Sequence, residues 1–256
     1  MRPTPSRGNY WRAIVTATSL DKPPAGEISA GIVAKVLPKL DAKSVSAPLS
    51  LALNTGWLFI QAAATQGSWN AARQMGLSIK SESEYDAISD RLWRNFVVAS
   101  ETRAHTTVAQ FAETAFKRVL NRIIFSTDKR AETEQTQAFL KYVKDQGVEG
   151  FARDVLTEYL TELTLTFLRS EDRQQDLNGS LAFHRKSDGW RSYSEEQQFR
   201  AALRDSCAKS ATRISKSLRH SGFFEIMSSE LSDQTLQDLR KRLQDALVKN
   251  LTDSGR

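Results

Sequence analysis

Few residues in this 256-residue chain are of a type that does covalent chemistry. There are three histidines, His105, His184 and His220, and one cysteine, Cys207. Glu101 and His105 stand four apart, so a continuous helix would put both on one side, but two ligands do not make a metal site. They read as residues of a helix junction. Cys207 falls with Phe199, Leu203, Ile214 and Leu218 on a helical wheel. That is the place of a small buried hydrophobe, whereas a catalytic thiol needs an accessible, electropositive setting and a histidine partner. Asp154, Glu158 and Glu162 recur every four residues as an acidic stripe. Helical di-metal centres pair such carboxylates with a histidine three residues on, and that pairing is missing. The stripe reads as a solvated face opposite Phe151, Val155 and Tyr159, or as a docking strip for a basic partner. No phosphate-binding G-x-x-x-x-G-K-[ST], no G-x-G-x-x-G and no G-x-S-x-G motif occurs. We therefore expect no catalytic residue, no metal ligand and no cofactor.

Fixed positive charge is the chemistry that is left. Lys209, Arg213, Lys216 and His220 lie within about 60° of one another on a helical wheel, nearly opposite the Cys207 stripe. Arg219 sits on their flank. Cations one helical turn apart can follow a phosphate backbone, and Ser206, Ser210, Ser215 and Ser217 could add short hydrogen-bond donors. Just before them, Phe183, His184, Arg185, Lys186, Trp190, Arg191 and Tyr193 interleave aromatics with cations. Aromatic rings stack on unpaired bases while Arg and Lys hold phosphates. The candidate contact set is thus Arg185, Lys186, Trp190, Arg191, Lys209, Arg213, Lys216 and Arg219. The competing readings are an ordinary solvated helix face and a loop whose aromatics tuck onto the core. The charge balance leans the same way. Residues 1–80 hold nine Lys/Arg against three Asp/Glu, and residues 193–222 hold six against three, within a net charge of +6.

The elements that would carry these residues are helical. Five of the six prolines precede residue 40 and only 12 glycines occur, so long stretches run without a breaker. Helical spacing of apolar residues predicts helices over Glu27–Leu37, 48–65, 69–75, 81–100, 106–125, 132–146, 150–169, 194–220 and from about 232. Ser81 with Glu84 has the form of a capping box, and Pro48 after Ser46 has the form of a helix start. Residues 171–193 are polar, contain two glycines and lack helical period, so a loop or small hairpin is expected there. The expected fold is all-α, an irregular bundle of roughly eight to ten helices drawn as one domain, with residues 171–193 as the alternative boundary.

Residues 44–72 carry no charged side chain. Ser50, Asn54, Thr55, Gly56 and Gln61 interrupt them, so a helix at the centre of the domain or under a partner fits better than a membrane span. Leu236, Leu239, Leu243 and Ala246 suit a last helix docking on its own domain or on a partner. A lone cysteine points to a reducing compartment, the cytoplasm by default. The resulting expectation is a non-catalytic subunit of a nucleoprotein or defence-type assembly, bound to DNA or RNA backbone and to one or more protein subunits. The alternatives are a protein–protein scaffold without nucleic acid and, third, a carboxylate- and metal-dependent enzyme using Asp154 and Glu158.

Overall fold

A computed structural model describes Val33, Val36 and residues 41–78, 87–98, 107–125, 132–176, 193–229 and 232–252. The fold is all-α, and no strand occurs among the described residues. The first long helix, α1 (Ala42–Gln66), carries most of the uncharged stretch. Seventeen of its residues are buried, so it is an internal helix and not a surface waiting for a partner. It packs against α2 (Ser68–Gln74), α4 (Thr107–Ile124), α5 (Glu132–Asp145), α6 (Gly147–Asp176), α8 (Phe223–Met227) and α9 (Asp233–Thr252). Among the described residues, no helix is long and apolar enough to cross a membrane.

The polar residues that interrupt α1 each have a structural use. Asn54 donates from Nδ2 to the carbonyls of Met227 at 2.8 Å and Ser229 at 3.3 Å, closing the end of α8 across 173 residues of chain. Ser46 and Ser50 return their hydroxyls to carbonyls three residues back in the same helix. A methyl group on Gly56 would stand 2.6 Å from Phe151 and 2.8 Å from Phe116, so glycine lets α4 and α6 close onto α1. The helix begins earlier than Pro48 suggests. Asp41 is its N-cap, accepting from the Lys43 amide at 3.1 Å, and Pro48 lies buried inside the helix. A cap satisfies free amides directly, which the proline does not need to do from the seventh position.

The stretch expected as one helix to residue 100 changes pitch. Helix α3 (Ile88–Leu92) runs into a π-helical segment, Trp93–Val98. The wider winding turns Val97 inward, fully buried, where an α-helix would have presented Phe96, which is only partly buried. Ser81 and Glu84 lie outside the described residues.

Helix α5 ends at Asp145, and α6 starts two residues on at Gly147, whose φ of 62° is in the left-handed region, three residues before Gly150. It then runs to Asp176, so residues 171–176, expected in a loop, continue the helix. Helix α7 (Tyr193–His220) packs along α6 and is followed, through Gly222 at φ 69°, by α8 and α9. Leu236, Leu239, Leu243, Ala246 and Leu247 of α9 are buried against α1 and α7, so this helix docks on its own chain. Among the described residues, one apolar cluster takes side chains from each of α1 to α9.

Candidate functional site

The cationic row is carried by the last four turns of α7. Leu203, Cys207, Ala211, Ile214 and Leu218 are each fully buried, and they fix which side of the helix faces inward. Lys209, Arg213, Lys216 and His220 are consequently exposed on the outer side. Among the described residues none of the three Lys/Arg heads meets a carboxylate within salt-bridge distance, and Arg213 donates only to Ser210 Oγ at 3.2 Å. Asp205, also exposed, stands one turn before Lys209 at the head of the row. His220 lies eleven helical steps beyond Lys209, about 16 Å along the axis.

Arg219 does not belong to this row. Its guanidinium turns to α6, where Nε donates to Glu149 Oε2 at 2.8 Å and a terminal nitrogen binds the same oxygen. The serines are also redirected. Ser206, Ser210 and Ser215 are buried, Ser215 donates to Glu149 at 3.2 Å, and Ser217 accepts from Asn250 at 2.9 Å. They belong to the packing of α7 on α6 and α9 and cannot serve as phosphate donors on the outer face. Arg185, Lys186, Trp190 and Arg191 lie outside the described residues.

The acidic stripe of α6 has a different setting from the one its spacing suggested. Glu158 is only 5% exposed. Arg122 of α4 donates to its Oε1 at 2.5 Å, and Arg204 of α7 reaches the same oxygen at 2.8 and 3.2 Å. Arg118 of α4 lies 3.8 Å from its Oε2 and binds Glu162. Burial pushes the Glu158 carboxyl up, but hydrogen bonds and charge from Arg204 and Arg122 outweigh it and hold the group below its ordinary value. Asp154 accepts from the Tyr142 hydroxyl at 3.0 Å. The stripe is therefore a seam joining α4, α6 and α7, and not the solvated face or docking strip expected. The arginines that make it were not picked out from the sequence. Their i, i+4 spacing at 118 and 122 matches that of 158 and 162, but nothing local announces a pairing across 36 to 44 residues.

Cys207 sits against this seam, fully buried, within hydrogen-bonding range of the Thr161 and Thr164 hydroxyls. Burial pushes its thiol up to about 11, which keeps it protonated and unreactive near neutrality. Among the described residues, no three His, Cys, Asp or Glu side chains are grouped to hold a metal ion.

A second concavity lies away from α7. It is a groove of about 820 Å³ between the end of α4, the outer face of α5 and the start of α6, with Arg122, Ile123, Ala138, Lys141, Tyr142, Asp145 and Asp154 in its wall.

Fold and surface together define the class: a helical protein with an internal uncharged helix, a charge seam and an exposed cationic row. No family model, curated protein or solved structure matches the chain.

Proposed function

We propose that this chain is a non-catalytic subunit of a nucleoprotein or defence-type assembly that holds nucleic acid by its backbone through the outer face of α7. The observation that carries this reading is the row Lys209–Arg213–Lys216–His220. Its three Lys/Arg heads are exposed, spaced one turn apart and, among the described residues, free of carboxylate partners. Arg118, Arg122, Arg204, Arg219 and Lys117, by contrast, have their charge met by a carboxylate. Uncompensated cations in a line attract a line of phosphates, and releasing counterions from the polymer supplies the free energy. Such contact ignores base sequence. Trp190, Arg185, Lys186 and Arg191 extend the same module toward base stacking in this proposal.

The scaffold alternative has lost its two sequence supports, because the uncharged stretch is internal and the leucines of α9 face their own chain. A protein partner for the assembly remains part of the proposal.

The test is a titration of labelled DNA and RNA, single- and double-stranded, at several salt concentrations. Three phosphate contacts give a log–log salt slope of about −2.7 on duplex DNA and about −2.1 on single strands. Reversing all three charges, Lys209→Glu with Arg213→Glu and Lys216→Glu, should abolish binding and leave the helical circular-dichroism signal unchanged. Equal binding by the triple variant, or no binding by the parent at low salt, sinks the proposal.

A further inference from the structure

We infer that the groove between α4, α5 and α6 is a binding site for a small organic ammonium ion with an apolar body, its cationic head placed at Asp154. The groove's volume, about 820 Å³, lies in the range of pockets that enclose such molecules. Its wall supplies Ile123 and Ala138 as apolar surface and the Tyr142 ring as an aromatic one.

The charges in the wall decide the sign of the ligand. Asp154 is half-buried, and its one hydrogen-bond partner among the described residues is the neutral Tyr142 hydroxyl on Oδ2, which leaves Oδ1 open. No cation among the described residues pairs with it. Asp145, one turn from Tyr142 at the end of α5, is exposed and also without a cation. Arg122 shares the wall and Arg153 lies near it, but both guanidiniums are engaged, Arg122 at 2.5 Å with Glu158 and Arg153 at 3.0 Å with Gln146 Oε1. Lys141 stands exposed at the rim, where solvent screens its charge. A carboxylate that is partly desolvated and unpaired gains most from a cation.

Tyr142 fixes the chemistry further. Burial, and then the charge of Asp154, push its phenol above the ordinary value, so it stays protonated and keeps donating to Oδ2. Oδ1 thereby keeps its capacity to accept from a ligand in the groove that both residues line, and an aromatic ring in such a wall can attract a cation. This reading is independent of nucleic-acid binding, since no wall residue comes from α7.

The probe is phenethylammonium, with 3-phenylpropionate as a partner of similar shape and opposite charge. Binding is followed by calorimetry and by backbone amide shifts of the full chain. Phenethylammonium should bind and shift amides of residues 133–146, while 3-phenylpropionate should not. Asp154→Asn should weaken binding about tenfold or more, the loss expected for a charged hydrogen bond. Lys141→Glu adds negative charge at an exposed position that makes no hydrogen bond or ion pair among the described residues, so it keeps the test alive if the Asp154 variant unfolds. It should tighten binding about threefold. The inference fails if neither probe binds up to about 10 mM. It fails equally if the carboxylate binds as well as the amine, or if affinity is indifferent to both substitutions. Loss of nucleic-acid binding by the α7 triple variant with phenethylammonium affinity intact would show the two sites to be separate.

Discussion

Helices α6 and α7 lie side by side and carry the same kind of pattern, like charges at helical spacing, yet the two stripes have opposite fates. On α6 the carboxylates of Glu158 and Glu162 are covered from both flanks by Arg118 and Arg122 of α4 and Arg204 of α7. On α7 the cations of Lys209, Arg213 and Lys216 face outward and meet no carboxylate among the described residues. Periodicity places charges on one side of a helix. Which elements pack beside that side decides whether they become internal glue or a surface with charge to spare.

The largest expected effect of breaking this contrast is at Glu158. Replacing it with Ala leaves Arg122 and Arg204 without their carboxylate, while Arg118 keeps Glu162, and thermal or denaturant unfolding should show a loss of about 3 kcal/mol. That is the low end for a broken buried pair, because the arginines are half in water. The same group predicts a pH dependence. Its folded pKa is lowered, so its stabilisation is fully present above the ordinary value of 4.5 and disappears as pH falls through the folded value. The difference in melting temperature between the parent and Glu158→Gln should therefore shrink below pH 4.5. A constant difference would mean that the seam is not held by the carboxylate's charge.

The next effect concerns the inner side of α6. Gly56→Ala puts a methyl group at 2.6 Å from Phe151, and overpacking of this kind should cost about 2 kcal/mol in an unfolding titration. An unchanged midpoint would show that the two phenylalanines yield freely. For the α7 row the stability effect should be small. The triple charge reversal that abolishes polymer binding should move unfolding by no more than about 0.5 kcal/mol, as expected at solvated positions. A large destabilisation would make the row structural, like the α6 stripe. Smallest of all, Arg219→Ala should alter polymer affinity by less than about twofold, because its charge is already met by Glu149. A tenfold loss in a binding titration would return Arg219 to the contact set.

Much of the architecture was legible from local pattern. Cys207, Ile214 and Leu218 fell on one side of a wheel and are buried together, and the Lys209 row opposite them is exposed. Boundaries failed where a stronger local interaction intervened. The Asp41 cap starts α1 before Pro48, and a π-helical segment exchanges Phe96 for Val97. The acidic stripe was misjudged for another reason. Exposure of Asp154, Glu158 and Glu162 depends on arginines that are distant in the chain, and helical spacing carries no information about them.

The sequence by itself determined that the chain is all-α, that residues 48–65 form an apolar helix, and which side of α7 faces outward. All three follow from the period of apolar and charged residues, a property of neighbours along one helix. Tertiary structure alone decided that Glu158 is a seam, that Arg219 and the serines of α7 are spent on packing, and that a groove opens beside Asp154. Those outcomes depend on side chains brought together from different helices. Whether a charge is neutralised, buried or left open is settled by its neighbours in space.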